Sequence, residues 1–353
     1  MLVSLQPVGA QPPVLLTVTG SGRWAEPTTV ATPDLGVGLW AVPGLVDAHA
    51  HLAADRLELG PGNTDAIRRR AVACLDEGVF LVVDKGWSDD SVVLALTDTH
   101  PSEAPDWEGA SRMIAAPDGY FPGFATETDA AGLTKAVSAS VERGRGWVKL
   151  VGDWPRRGVG PRPNFDEASL AAAVRVAHAG GARVAIHTMA PEVPSMAVRA
   201  GVDSIEHGLF LTGDDLAALA ARGGAWVPTV VRMEETAAAL GVDSSGRRLI
   251  SEGLDNVSSL LQSVPDGVSV LAGSDLAMAP GKIGKEVVRL VELGLDPSRA
   301  VAASTHEARL YLGRRDGFEV GQPADAVFYR TDPREDPSVL LEPSAVMRSG
   351  AVR

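Results

Sequence analysis

Residues 41–52 read AVPGLVDAHAHL and carry the most chemical information in the chain. The apolar residues before Asp47 predict a short buried strand. Because side chains alternate along a strand, residues two apart share a face, so we expect His49 and His51 to project into one cavity. Imidazole nitrogen is the commonest metal ligand in proteins, and two imidazoles on one face therefore indicate half of a metal site.

Apolar, β-branched runs alternate with helical patterns from residue 44 onward. The first predicted strand precedes Asp47, and seven more are predicted at residues 79–84, 112–116, 147–151, 183–187, 203–207, 225–229 and 268–273. Helices are predicted near residues 64–77, 91–97, 128–143, 166–179, 283–294 and 297–312, with others between the later strands. This alternation is typical of parallel strands covered by helices, and eight strands favour a closed (β/α)8 barrel.

Strand-like runs also occur at both ends of the chain, notably at residues 14–19, 326–329 and 345–348. A length of 353 residues leaves one or two domains open, because α/β barrels commonly reach about 250 residues as one unit. The predicted division is a small β-sandwich from residues 1–43 and 317–353 and a metal-dependent barrel over residues 44–316.

Composition and charge exclude several classes of partner. The formal net charge is −13, which argues against nucleic acid or an anionic membrane, since either needs clustered basic residues. No signal peptide and no run of 18 apolar residues is visible, so a cytoplasmic protein is the default expectation. The single cysteine, Cys74, excludes an internal disulfide. The oligomeric state stays open, a homo-oligomer included.

Polar side chains end or closely follow five of the predicted strands. In a barrel the carboxyl ends of the strands share one mouth, where active sites lie. The metal-competent residues at these positions are His49, His51, Lys149, His187, His207 and Asp275. A single histidine at a strand end is often a satisfied core residue, but a coincidence of all six at one mouth is improbable. The pattern therefore predicts a metal site.

Several stretches of the chain resemble the amidohydrolase superfamily, particularly its imidazolonepropionase-like and prolidase-like branch. They read PGLVDAHAHL, WVKLVG, VAIHTMA, AGVDSIEHG and AGSDLAMAP, and the stretches STHEARLYLG and VGQPADAVFYR are similar to the usual end of that branch. The resemblance covers most of the chain. It implies a distorted (β/α)8 barrel with a small β-sandwich built from both termini.

The resemblance also implies one or two divalent metal ions, and histidine-rich ligation favours zinc. The implied ligands are His49 and His51 for the more buried metal, His187 and His207 for the more exposed one, and Lys149 as a carbamate that bridges both. Asp275 would bind the buried metal and transfer a proton. Asp275 and His207 are therefore the candidate catalytic residues.

Three functions are compatible with these residues. The first is a metal-dependent hydrolase of a C–N bond in an amide, dipeptide, N-acyl amino acid, urea or lactam, with a metal-activated hydroxide and Asp275 as proton shuttle. The second is a mononuclear aminohydrolase that deaminates a heterocycle and needs no carbamate on Lys149. The third is a catalytically silent binding barrel, which the intact ligand set disfavours. Both enzymes would act on a small-molecule substrate.

The segment after Lys149 suggests how a substrate is held. Trp154, Arg156 and Arg157 lie within a few residues of the proposed bridging lysine. The planar fork of arginine suits a carboxylate, and a tryptophan face offers an apolar wall. The alternative is that these arginines face solvent or pair with surface acids. The hypothesis is that Arg156 or Arg157 binds a substrate carboxylate.

Overall fold

The computed structural model of the protein describes residues 1–9, 12–28, 31–54, 60–156, 159–315 and 317–353. Its strands are β1 (Leu2–Pro7), β2 (Val14–Val18), β3 (Trp24–Ala25), β4 (Trp40–Val42), β5 (Leu45–Ala50), β6 (Val79–Asp84), β7 (Asp106–Gly109), β8 (Ile114–Ala115), β9 (Thr126–Glu127), β10 (Trp147–Val151), β11 (Asp153–Arg156), β12 (Gly160–Pro163), β13 (Arg183–Thr188), β14 (Ser204–His207), β15 (Ala225–Val227), β16 (Ser269–Val270), β17 (Ala326–Tyr329), β18 (Ala345–Arg348) and β19 (Ala351–Val352).

The helices are α1 (Thr64–Asp76), α2 (Ser91–Leu96), α3 (Leu133–Arg143), α4 (Glu167–Ala179), α5 (Val193–Ala200), α6 (Gly213–Ala221), α7 (Val230–Ala239), α8 (Ser245–Leu261), α9 (Gly284–Glu292), α10 (Pro297–Ala302) and α11 (His306–Tyr311). A 3₁₀ helix spans Pro337–Leu341. Within the described residues, no helix is both long and apolar enough to cross a membrane.

Two parallel sheets form the central part of the molecule. The first contains β5, β6 and β7, and the second has the order β16-β15-β14-β13-β10-β8-β9. A parallel bridge joins Gly109 to Gly146, and on the other side the backbone of Ala48 donates a hydrogen bond to Ala272. Apolar residues from both sheets, among them Val83, pack in one interior cluster. The two sheets therefore follow a single curled surface, as alternating strands and helices predict.

Where the sequence predicts one strand, the third, at residues 112–116, the structure contains two. An additional strand, β7, pairs with β6, while the short β8 pairs with β10. The polar sequence of β7, DWEG, hides it from a search for apolar runs. Its Glu108 carboxylate accepts hydrogen bonds from the Trp147 indole at 2.9 Å and from Arg314 at 2.8 Å. These partners compensate a charged residue in the strand.

Two predicted helices differ from the observed ones. The helix predicted over residues 128–143 begins only at Leu133, because a turn closed by an aspartate side chain precedes it. The helix predicted over residues 297–312 is divided into α10 and α11. At the division the Thr305 hydroxyl donates a hydrogen bond to the Val301 carbonyl at 2.7 Å, and the backbone leaves the helical conformation.

Strands from the two ends of the chain form one mixed sheet, in the order β19-β18-β17-β4-β1-β2-β3. The backbone of Trp24 donates a hydrogen bond to Gln322 just before β17, so this continuous sheet folds over a core that includes Phe328. The buried guanidinium of Arg348 lies 3.2 Å from Asp106 in β7. This contact ties the terminal sheet to the parallel strands.

A charged pair lies inside the curled sheet. The Lys85 ammonium, directly after β6, is 3.1 Å from a carboxylate oxygen of Glu206 in β14, and both side chains are buried. The Ser204 hydroxyl donates a hydrogen bond to the same oxygen at 2.6 Å. Burial raises the pKa of the Glu206 carboxyl, but the opposing charges, with Lys85 first, lower it to well below its usual range. Glu206 is therefore ionised.

Replacement of Lys85 by Met should lower the free energy of unfolding by roughly 3–5 kcal/mol, because Glu206 is left as a buried charge without its partner. The double variant Lys85→Met with Glu206→Gln should recover most of that loss. Denaturant unfolding in the presence of a chelator measures both effects on the metal-free protein. Additive losses in the double variant would show that the two side chains do not stabilise each other.

Candidate metal centre

One cavity at the carboxyl ends of the parallel strands contains all of the predicted ligand side chains. The residues that it brings together are His49, His51, Lys149, His187, His207 and Asp275. They come from β5, β10, β13 and β14 and from the segments that follow β5 and β16. The convergence follows from parallel strands in a curled sheet, because their carboxyl ends meet around one opening.

Three of these side chains form a compact cluster that could hold a metal ion. The Nε2 atoms of His49 and His51 are 3.3 Å apart, and Asp275 Oδ1 lies 3.5 Å from the first and 3.3 Å from the second. A tetrahedral ion with bonds of about 2.0–2.1 Å keeps its ligand atoms roughly 3.3 Å apart. The observed separations therefore fit such an ion without rearrangement.

The other ring nitrogen of each histidine determines which atom is free to bind the metal. His51 Nδ1 donates a hydrogen bond to the Gly86 carbonyl at 2.7 Å, and His49 Nδ1 lies 2.6 Å from a carboxylate oxygen of Glu206. Both contacts favour a proton on Nδ1 and leave a lone pair on Nε2. Two lone pairs that face each other at 3.3 Å repel, unless a cation lies between them.

His187 and His207 form a second pair. His207 Nε2 is 2.9 Å from His187 Nδ1, while His207 Nδ1 is 2.6 Å from the Thr229 hydroxyl. That hydroxyl donates to the Pro228 carbonyl, so it accepts the proton on His207 Nδ1. The lone pair on His207 Nε2 then faces His187. His207 Nε2 therefore accepts a hydrogen bond from His187 Nδ1, and both rings line the cavity beside Lys149.

Lys149 reaches the same cavity from β10 and is buried. Its amine has no hydrogen-bond partner among the residues that the structure describes. Burial lowers the pKa of this amine to about 8, with Lys85 acting in the same direction and Glu206 and Asp275 opposing it. A substantial fraction of Lys149 is therefore neutral near pH 8, and a buried amine without a partner is costly for the fold.

The ionisation of the other side chains suits metal binding. Burial lowers the pKa of His49 to about 4 and that of His207 to about 3, and it holds the pKa of His187 well below its ordinary value. All three are neutral at pH 7, which is the form that binds metals. Burial raises the pKa of Asp275, but the contacts with His49, His51 and His207 lower it by more. The pKa therefore lies well below its ordinary value, and this carboxylate is ionised.

Left-handed backbone conformations turn several of these side chains into the cavity. His207, Thr229 and Asp275 have φ values of 63°, 49° and 38°, which non-glycine residues rarely adopt. Glu206 already points into the interior, so regular alternation would direct the adjacent His207 to the opposite face. The left-handed turn returns it to the cavity, and the Trp226 indole stabilises the turn with a hydrogen bond to the His207 carbonyl at 2.9 Å.

Four residues of the site were not predicted. Glu206 lies inside one predicted strand and Lys85 directly after another, and their only signal in the sequence is a charge in or beside an apolar segment. Tyr120 and Arg232 line the cavity from the segments that follow β8 and β15. Their positions after predicted strands are a weak signal, because many polar residues occupy such segments.

The three predicted substrate-binding residues differ in their position relative to the cavity. Trp154 lines the cavity from the hairpin of β11 and β12. Arg156 is not among the lining residues, and its guanidinium donates hydrogen bonds to Asn164 Oδ1 at 3.2 Å and to the Pro117 carbonyl at 3.4 Å. Arg157 lies outside the described residues. The predicted role of these arginines stays a hypothesis.

Known proteins resemble this chain in both sequence and structure. An uncharacterized protein of Mycobacterium tuberculosis is 36% identical over 342 residues, which cover 93% of this chain and 89% of the relative. A crystal structure of an Xaa-Pro dipeptidase with bound methionine has a TM-score of 0.78 and 21% identity, covering 100% of this chain and 99% of that chain. A putative prolidase from Bifidobacterium longum has a TM-score of 0.79 and 20% identity, covering 100% and 94%.

The likeness to the two solved structures establishes the fold alone, since both are less than 25% identical to this chain. Membership rests on a sequence model of the amidohydrolase family, which matches residues 40–353 and so includes every candidate ligand. This match confirms the resemblance that the motifs indicated. The chain belongs to the amidohydrolase family.

Proposed function

We propose that the protein is a metal-dependent hydrolase that cleaves a C–N bond in a small molecule: an amide, dipeptide, N-acyl amino acid, urea or lactam. The observation that carries the proposal is one cavity in which the cluster of His49, His51 and Asp275 faces Lys149 and a second histidine pair. The Xaa-Pro dipeptidase among the structural neighbours is consistent with this reaction.

The amidohydrolase family generally uses divalent metals, and the donor atoms here fit them. His49, His51 and Asp275 would hold one ion, and His187 and His207 a second, with zinc favoured by the nitrogen ligands. The neutral amine of Lys149 would react with carbon dioxide to form a carbamate with release of one proton to solvent, and this anion would be a ligand shared by the two ions. This reaction would also remove the cost of a buried amine without a partner, because the resulting anion gains two cationic partners.

Divalent ions at these positions supply a lowered water pKa and polarisation of the substrate carbonyl. Asp275 is ionised and lies beside the first histidine cluster, so it can accept the proton of the attacking water. It then returns that proton to the leaving nitrogen, as general base followed by general acid. The Oδ2 atom of Asp275 is 3.9 Å from His207 Nδ1, so the two candidate catalytic side chains are adjacent in the cavity.

The placement of Lys149 favours this reaction over deamination by a mononuclear aminohydrolase. A single-metal site needs no bridging carbamate, yet the Lys149 amine is buried inside the cavity. We further propose that the curled sheets close into an eight-stranded barrel over residues 44–316, with residues 1–43 and 317–353 as a separate small domain.

Purified protein should contain up to two divalent ions per chain, and Lys149→Ala should lower both metal content and turnover. Short carboxylic acids should partly restore activity, because they can occupy the position of the lost carbamate. Elemental analysis and mass spectrometry of the intact chain measure the metals and the added carbon dioxide. The exposed Lys135 on α3 provides the matched control, Lys135→Ala. A stoichiometry of one that Lys149→Ala leaves unchanged would favour the mononuclear enzyme.

Asp275→Asn should lower turnover by about 10²–10⁴ while much of the metal is retained, because the substitution keeps the size of the side chain but removes the proton acceptor. The substrate for this measurement is identified by a screen of N-acyl amino acids, dipeptides, lactams and aryl ureas with metal-loaded protein. The released amine or ammonia is quantified. Ammonia as the product would indicate deamination. The exposed Asp266 serves as the control, Asp266→Asn. Undiminished turnover in Asp275→Asn would exclude the proton transfer proposed here.

A further inference from the structure

Arg232 brings a positive charge to the cavity. It lies in the first turn of α7 and lines the cavity together with Thr236, one helical turn later. Among the described residues, no carboxylate or carbonyl pairs with its guanidinium, although the chain has 45 acidic and only 32 basic residues. Arg289 on α9, by contrast, is paired with two glutamates. The guanidinium of Arg232 is therefore available to a ligand.

The helix that carries Arg232 is held firmly. The buried Glu286 of α9 accepts hydrogen bonds from the backbone of Val230 at 2.6 Å and of Val231 at 3.0 Å, at the start of α7. An ion pair between Arg289 and Glu234 links the same two helices at 2.6 Å. A binding residue on such an anchored element loses little conformational freedom when it meets its ligand.

An aromatic wall lines the same cavity as Arg232. It consists of Tyr120, Phe121, Phe124 and Trp154, whose rings contact one another. The Tyr120 ring centroid is 4.6 Å from that of Trp154, and the Phe121 ring centroid is 4.8 Å from it. Phe121 is 36% exposed, which leaves an apolar ring uncovered at the rim. The wall offers an aromatic group of a ligand an extended apolar surface.

The order of the strands places the two features on opposite sides of the candidate metal centre. The aromatic wall follows β8 and β10, whereas Arg232 follows β15. Strands β13 and β14 lie between them, and these end at His187 and His207. A substrate whose carbonyl lies at these histidines therefore directs one substituent of its C–N bond to the aromatic wall and the other to Arg232.

From this arrangement we infer that the substrate is an amide with an aromatic or bulky apolar group on one side of the scissile bond and a carboxylate on the other. Arg232 binds the carboxylate with its planar fork, and the aromatic wall binds the apolar group. The inference rests on the proposed C–N hydrolase function and adds its substrate class. It assigns to Arg232 the role that sequence proximity suggested for Arg156 and Arg157.

Kinetics of Arg232→Met with charged and uncharged probes test the assignment. KM for N-benzoylglycine and for N-phenylsuccinamic acid, which carry the carboxylate on opposite sides of the bond, should rise about ten- to a hundredfold. KM for N-benzoylglycinamide, which has no carboxylate, should change less than twofold. Arg232→Lys should give an intermediate increase. Arg175→Met, at an exposed position on α4, is the matched control.

The variant Arg156→Met distinguishes the role of Arg156 from that of Arg232. Arg156 binds Asn164, which itself donates a hydrogen bond to the Gly119 carbonyl beside the aromatic wall. Loss of the Arg156 guanidinium should therefore weaken the binding of acid and amide probes alike. A carboxylate-selective loss in Arg156→Met, without one in Arg232→Met, would overturn the assignment. Equal effects of Arg232→Met on acid and amide would overturn it as well.

Equilibrium binding keeps the inference testable if none of the probes is hydrolysed. Quenching of tryptophan fluorescence in the metal-loaded protein reports binding, because Trp87 and Trp154 line the cavity. Selective loss of N-benzoylglycine binding in Arg232→Met, without turnover in the wild type, would support the binding site while the hydrolase function fails. N-acetylglycine, which lacks the ring, should bind at least tenfold more weakly, and equal binding would refute the aromatic half of the inference.

Discussion

The carboxylate of Glu206 is the group on which the interior of this protein and its site both depend. It is fully buried, lies 3.1 Å from the Lys85 ammonium and approaches His49 Nδ1 at 2.6 Å. Without a cationic partner such a carboxylate would cost roughly several kcal/mol. Because its negative charge favours a proton on His49 Nδ1, it also directs the other nitrogen of that ring toward the candidate metal centre. One interaction therefore stabilises the interior and orients a candidate ligand.

A second constraint acts on the backbone at the ends of two parallel strands, β14 and β16. His207 and Asp275 both adopt left-handed conformations, which cost about 1–3 kcal/mol when a non-glycine residue is held in them. Local hydrogen bonds offset part of this cost, since the Trp226 indole binds the His207 carbonyl and the Asp275 backbone donates to the His49 carbonyl. The strain is concentrated where side chains must leave the regular alternation of a strand to meet in one cavity.

The walls of the cavity show how distance along the chain differs from distance in space. Arg156 lies seven positions after Lys149, yet its guanidinium binds Asn164 and supports the hairpin behind the aromatic wall. Arg232 lies more than 80 positions away from Lys149 and lines the cavity. A hairpin can turn a nearby side chain outward, whereas the curling of a parallel sheet brings distant strand ends together.

The sequence by itself determined the alternation of strands and helices, the family and the metal-competent residues, because these depend on local apolar patterns and on residue types at strand ends. It did not reveal β7, whose polar residues are compensated by Trp147 and Arg314, which are distant in sequence. Only the tertiary structure identified Glu206 as the partner of Lys85 and Arg232 as a cation of the cavity without an acidic partner among the described residues. The physical reason is that pairing, burial and the direction of a side chain are properties of contacts between segments, and a pattern along one segment contains no information about them.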